Sequence, residues 1–113
     1  MVTQRFIGTN IEILVYNWLT RRKIPFRFQS SLMGGYFSLG GAVVDFILED
    51  GNIALRLFGE FWHRGVEKEG SDLIQKEMLM GMGYTVVDIW AQDLETRLDE
   101  AMNLAVQGIE VLH

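Results

Sequence analysis

The chain has 113 residues, of which 49% are hydrophobic, and a formal net charge of −5. It contains no cysteine, which excludes disulfides, thiol nucleophiles and cysteine-ligated zinc. No apolar run reaches the roughly 18–20 residues that span a bilayer, and Gln4 and Arg5 interrupt any N-terminal signal pattern. We therefore expect one domain, 1–113, in a cytoplasmic protein without a membrane partner. The acidic balance argues against non-specific coating of nucleic acid but permits a local basic patch.

The first predicted element is a helix that begins with the capping box Thr9–Glu12. Arg21, Arg22 and Lys23 suit the negative end of the helix dipole, and Pro25 stops the helix. The apolar residues recur at helical spacing: Ile11, Leu14, Val15, Trp18 and Leu19.

Strand patterns follow. Phe26–Gln29 alternates apolar and polar residues, and the glycine-flanked segment Gly34–Gly41 is a loop or a small hairpin. Ala42–Leu48 and Ile53–Phe58 then form a hairpin around the turn Glu49–Asn52.

The last half predicts a helix, a strand and a helix. The second helix runs from Ser71 or Asp72 to about Met82, with Gly83 as its C-cap. Thr85–Trp90 is a strand, and Asp93 caps a final helix through Ala105, with a short extended tail at Ile109–Leu112. The order α-β-β-β-α-β-α predicts an α/β fold, with a mixed sheet and helices on both faces. The second helix is expected to turn these residues inward: Leu73, Ile74, Met78 and Leu79.

Asp45 is the strongest candidate for chemistry because it interrupts an otherwise apolar strand. A carboxylate there costs several kcal/mol unless it is paired or binds a metal. Metal ligation or catalysis is one interpretation. An exposed edge position or an ion pair with an arginine is the other.

A second candidate is the segment Gly59–His63, which presents Glu60 and His63 just after a strand. If the strand continues, residues 56, 58 and 60 share one face. A single histidine after a tryptophan is more commonly a packed or surface residue than a catalyst.

Together these motifs resemble the very-short-patch mismatch-repair endonucleases, small members of the PD-(D/E)XK nuclease superfamily. The resemblance implies a restriction-endonuclease-like, mixed four-stranded sheet flanked by helices, and Mg²⁺-dependent cleavage of DNA in repair. It also implies Asp45 as a metal ligand, His63 as an active-site histidine and Glu12 as a helix carboxylate that reaches the site. The matching segments, in order, are Ile11-Glu12, Phe26–Gln29, Val44–Phe46, Gly59–His63, Asp72 and Gly83–Trp90.

The chain departs from the superfamily at its second half-motif, an acid, any residue, then lysine. Arg56-Leu57-Phe58 stands there, and neither Leu57 nor Phe58 can bind a metal. Glu60 could then supply a displaced second carboxylate and Glu12 a third, and Lys76 could replace the strand lysine if its stem reaches the site. Alternatively, Arg56 pairs with Asp45 and the nuclease is inactive. The zinc ligands of the mismatch-repair enzymes are missing, so no zinc is expected.

The one basic cluster is Arg21, Arg22, Lys23 and Arg27, which would contact DNA phosphates if it is more than a solvated helix end. Two hypotheses follow. One is a small DNA endonuclease with catalytic residues Asp45, Glu60, His63 and Glu12. The other is a catalytically degenerate fold that binds DNA or assembles as a homodimer.

Overall fold

The computed structural model describes residues 10–28, 37–39, 42–59 and 66–111. Within these ranges, no helix is long and apolar enough to cross a membrane. The helices are α1 (Asn10–Arg21), α2 (Val66–Gly81), α3 (Ala91–Thr96) and α4 (Leu98–Ala105). The strands are β1 (Phe26–Phe28), β2 (Phe37–Leu39), β3 (Ala42–Val44), β4 (Phe46–Leu48), β5 (Ile53–Phe58) and β6 (Thr85–Trp90).

The main sheet has four strands in the order β1-β4-β5-β6. β4 is antiparallel to β1 and to β5, whereas β5 and β6 run parallel. A parallel pair needs a crossover connection, and α2 provides it. The predicted α/β fold with a mixed four-stranded sheet flanked by helices is therefore confirmed. β2 and β3 form a separate antiparallel pair, so Phe37–Leu39 of the glycine-flanked segment is a strand.

The predicted strand Ala42–Leu48 is divided at Asp45, which lies in a bend between β3 and β4. The Asp45 N–H donates to the Leu55 carbonyl at 3.0 Å, and the Leu57 N–H donates to the Asp45 carboxylate at 2.8 Å. The Asp45 side chain thus accepts a hydrogen bond from the backbone of β5. β3 and β4 consequently pair with different strands on either side of Asp45.

The two faces of the sheet bury different clusters. Leu55 and Val87 pack into the larger core with α1, α3 and α4, which we call the α1 face. Ala54 and Val86 pack with Leu79 of α2, which we call the α2 face. Side chains alternate along a strand, so neighbouring residues of β5 serve opposite faces.

The turns follow the sequence closely. Glu49–Asn52 is a turn in which Gly51 and Asn52 have φ values of 84° and 50°, a conformation that glycine and asparagine tolerate best. Gly83, at φ 96°, follows the end of α2. Both turn predictions are confirmed.

The second helix differs from its prediction in start and orientation. α2 begins at Val66, and of the four residues expected inward only Leu79 is buried. Leu73, Ile74 and Met78 are exposed. Helical periodicity defines an apolar face but does not say whether the sheet covers it.

The final helix is broken in two. Arg97 has non-helical dihedrals, φ −150° and ψ 57°, between α3 and α4. Trp90 occupies the N-cap position of α3, so the prediction of Asp93 as a cap is wrong. The Asp93 carboxylate instead accepts a hydrogen bond from Arg97 Nε at 2.9 Å. The stretch 109–111 is not a strand.

Candidate functional site

Glu12 lies in the first turn of α1 with only 2% of its surface exposed. It borders a cavity of about 400 Å³ between the start of α1, β5 and the start of α3. The cavity is lined by Asn10, Ile11, Glu12, Asp45, Leu57, Gly59 and Ala91. Glu12 is therefore a buried acidic residue in the wall of this cavity.

Asp45 shares this cavity and forms a side-chain hydrogen bond with Glu12. The pKa of its carboxyl is raised from 3.8 to about 6, and burial is the largest of several causes. The Leu57 N–H lowers the pKa, whereas the charge and the hydrogen bond of Glu12 raise it; the charge of Arg56 has a smaller lowering effect. The net result is a carboxyl that holds its proton more tightly than an ordinary aspartate.

Two adjoining carboxyl groups can share a proton or share a cation. Mg²⁺ is commonly held by one or two carboxylates, with water and phosphate oxygens completing its octahedron. Glu12 and Asp45 provide that donor set, so these residues fit the ion. Among the residues that the structure describes, no group of three histidine, cysteine or acidic side chains converges. The described part of the site is thus a carboxyl pair.

β5, the second strand of the hairpin, reaches the site through Leu57, whose N–H donates a hydrogen bond to the Asp45 carboxylate. Leu55 and Leu57 belong to the α1-face core, whereas Arg56 points to the α2 face. Phe58 packs against Trp90 with ring centroids 4.8 Å apart. The β5 side chains on the face of Asp45 are therefore apolar, and the Arg56-Leu57-Phe58 tripeptide offers the site a backbone donor.

Arg56 forms an ion pair with Asp88. The sequence analysis had considered Asp45 as its partner. Arg56 Nε and Nη2 donate to the two Asp88 oxygens at 2.7 and 2.9 Å. The two residues are direct neighbours in the parallel β5–β6 register. This bidentate pair is almost fully buried at Arg56, which is 3% exposed.

Lys76 does not extend to the carboxyl pair, so that expectation is wrong. Its Nζ donates to Glu110 at 2.7 Å and lies 3.9 Å from Asp88. Glu110 also accepts a hydrogen bond from the Asp88 N–H at 3.0 Å. The sequence analysis did not single out Asp88 or Glu110 as interacting residues. Asp88 nevertheless interrupts an apolar strand just as Asp45 does. That signal was present and could have identified Asp88.

Glu60 and His63 lie outside the described residues, so their predicted roles remain predictions. Gly59, the last described residue before them, lines the cavity.

The basic cluster is exposed and lies away from the start of α1, where Glu12 is located. Arg21 lies nine residues beyond Glu12 on α1, about 14 Å along the axis at roughly 1.5 Å per residue. Arg22 stacks 3.8 Å over the Trp18 ring and lies 3.5 Å from Asp99. Arg27 alternates on β1 with two phenylalanines that pack on the α1-face core. Lys23 is exposed after α1.

Comparison of the chain with models of known protein families and with curated proteins found no match.

Proposed function

We propose that this protein is a small metal-dependent hydrolase of DNA phosphodiesters, and that Glu12 and Asp45 hold its metal ion. The observation that carries the proposal is the hydrogen bond between the buried Glu12 and the half-buried Asp45, which line the same cavity. Burying two acids together is unfavourable for folding unless they share a proton, so the arrangement indicates a role beyond stability.

Each site residue that the structure describes has a definite role in this proposal. Asp45 and Glu12 bind Mg²⁺ through carboxylate oxygens, and the Leu57 N–H orients Asp45. The bound ion would activate water and stabilise the charge that develops on the phosphate. Glu60 is the proposed additional metal ligand, and His63 is the proposed acid or base. Arg21, Arg22, Lys23 and Arg27 contact neighbouring phosphates of a bound DNA in a cytoplasmic homodimer.

A second candidate is a catalytically degenerate form of the same fold that binds DNA or assembles with itself. It is favoured by Leu55 and Leu57, because apolar side chains occupy the β5 positions that face the carboxyl pair. A site limited to two carboxylates would hold a cation more weakly than one with a third acid.

The deciding experiment is cleavage of supercoiled and branched DNA with Mg²⁺ or Mn²⁺. Asp45→Asn keeps the shape of the side chain and removes its charge, so cleavage should fall more than about a hundredfold. Asp50→Asn, at an exposed position of the turn after β4, is the matched control and should cleave normally. Equal cleavage by the wild type and Asp45→Asn would refute the catalytic proposal.

Metal binding is tested separately from cleavage. Mn²⁺ should raise the melting temperature of the wild-type protein and leave Asp45→Asn unchanged, because a ligand that binds only the folded state stabilises it. If Mn²⁺ binds but DNA is not cut, the degenerate alternative is supported. That alternative also predicts a salt-dependent gel shift lost on neutralising Arg21, Arg22 and Arg27, or a stable oligomer in light scattering.

A further inference from the structure

α2 carries an apolar face that the sheet does not cover. Ile74 is 60% exposed, Leu73 58% and Met80 56%, and Met78 and Met82 are also exposed. These side chains lie within the last nine helical residues and the turn that follows. Large apolar side chains grouped in this way mark an interaction surface more commonly than isolated ones do.

Glu77 lies on this same face. It is three residues after Ile74, four after Leu73 and three before Met80, which makes these residues neighbours on the helix surface. Glu77 is exposed. The last turn of α2 has no basic residue, so the negative end of the helix dipole adds to the charge of Glu77. The surface is therefore apolar around the exposed acid Glu77, and the one cation described at its edge, Lys76, is paired with Glu110.

The face continues into a concave region. Met80 borders a cavity of about 660 Å³, with Tyr84 and Ile109 on its other walls. Ile109 is 48% exposed and extends the apolar surface beyond the helix. Methionine side chains are flexible and polarisable, and they suit a surface that adapts to a partner.

We propose that this α2 surface, formed by Leu73, Ile74, Glu77, Met78 and Met80, binds a basic amphipathic helix of another protein. Such a helix presents apolar residues at positions i, i+3, i+4 and i+7 and can place a lysine or arginine opposite Glu77. A second copy of this chain is a poorer fit. A two-fold contact centred on this face would bring Glu77 against Glu77 of the other copy, and like charges in contact are destabilising. The proposal does not depend on nuclease activity.

The test uses three labelled synthetic peptides of about 18 residues, long enough for several helical turns. The first has leucines at helical spacing with lysines elsewhere, the second has glutamates in place of the lysines, and the third is a scrambled lysine peptide without periodicity. Fluorescence anisotropy should show saturable binding of the first peptide only. The methyl NMR signals of Met78 and Met80 should shift, whereas that of the fully buried Met102 should not.

Two matched variants separate local from general electrostatics. Glu77→Lys and Glu95→Lys change the net charge equally, and both positions are exposed. Glu77→Lys should weaken binding of the lysine peptide about fivefold or more, while Glu95→Lys should leave it within about twofold. Ile74→Ser should weaken binding by about tenfold through loss of apolar contact.

Several results would overturn the proposal. These are equal binding of the periodic and scrambled peptides, equal effects of Glu77→Lys and Glu95→Lys, or shifts confined to other parts of the molecule. Sedimentation that shows a dimer of the wild type, converted to monomer by Ile74→Ser, would assign the surface to a second copy instead.

Discussion

The two faces of the sheet differ in how their charged side chains are paired. On the α2 face, Arg56 and Asp88 form a bidentate ion pair beside Lys76 and Glu110. On the α1 face, Asp45 meets a second acid, Glu12, and its pKa is raised to about 6. Asp45 and Asp88 each form a hydrogen bond with β5, through the Leu57 N–H and the Arg56 side chain, so the two sites differ in the charge of the remaining partners.

This contrast separates a charge pair that a structural role explains from a carboxyl pair that it does not explain. Opposite charges with satisfied hydrogen bonds are compatible with a purely structural role. Two carboxyls in contact oppose folding whenever both are ionised, and chains retain such pairs where a proton or a cation is to be bound. The contrast therefore selects the α1 face as the candidate site, and four measurements test it.

The largest effect should come from breaking the Arg56–Asp88 pair. Arg56→Ala removes both guanidinium hydrogen bonds from the half-buried Asp88 and leaves it only Lys76 at 3.9 Å, so it should lower the free energy of unfolding by about 3–5 kcal/mol in urea titrations. The double variant Arg56→Met/Asp88→Leu removes both charges and should recover most of that loss. A cost of the single variant below about 1 kcal/mol would contradict a structural role for this pair.

Asp45→Asn should instead raise the free energy of unfolding. At about pH 8 it removes the repulsion from Glu12, while the amide can accept from the Leu57 N–H and donate to Glu12. We expect it to stabilise the protein by up to about 3 kcal/mol and to abolish any cleavage. Asp50→Asn should change the free energy of unfolding by less than about 0.5 kcal/mol. A destabilised Asp45→Asn protein would indicate that the carboxylate is needed for folding.

The pH dependence of the wild-type protein is the third test. Because the pKa of Asp45 is raised from 3.8 to about 6 in the folded state, folding binds a proton between these values. The stability contributed by this group is complete below about pH 4 and is lost as the pH rises through about 6, by up to about 3 kcal/mol. The difference in unfolding free energy between the wild type and Asp45→Asn should follow that curve. A difference that does not vary with pH would contradict the raised pKa.

The smallest effect should come from Lys76→Met. The side chains of Lys76 and Glu110 are 27% and 35% exposed, so their ion pair is partly solvated. We expect a loss of about 1 kcal/mol or less, reduced further in high salt. A loss as large as that of Arg56→Ala would mean that the four charged residues act as one cooperative network.

The sequence predicted the elements well where one local rule dominated. The apolar spacing of α1, the turn at Gly51 and the strand Thr85–Trp90 each follow from local preferences, and the structure confirms them. Predictions were wrong where two local interpretations were equally good. The periodicity around Leu73 and Ile74 describes a helix with an apolar face whether or not that face is buried. Arg97 is an acceptable helix former, and its break between α3 and α4 is not visible in the residue types.

For the site, the sequence alone singled out Asp45, because a carboxylate within an apolar strand is rare and costly. The sequence also predicted the α/β order of elements, and its lack of cysteine excluded cysteine chemistry. Only the tertiary structure decided which residues Asp45 and Arg56 contact. The bend at Asp45, the register of β5 against β6 and the entry of α1 place Asp45 with Glu12 and Arg56 with Asp88. The energies of charged groups depend on distance and burial, which residues far apart in the chain acquire only on folding.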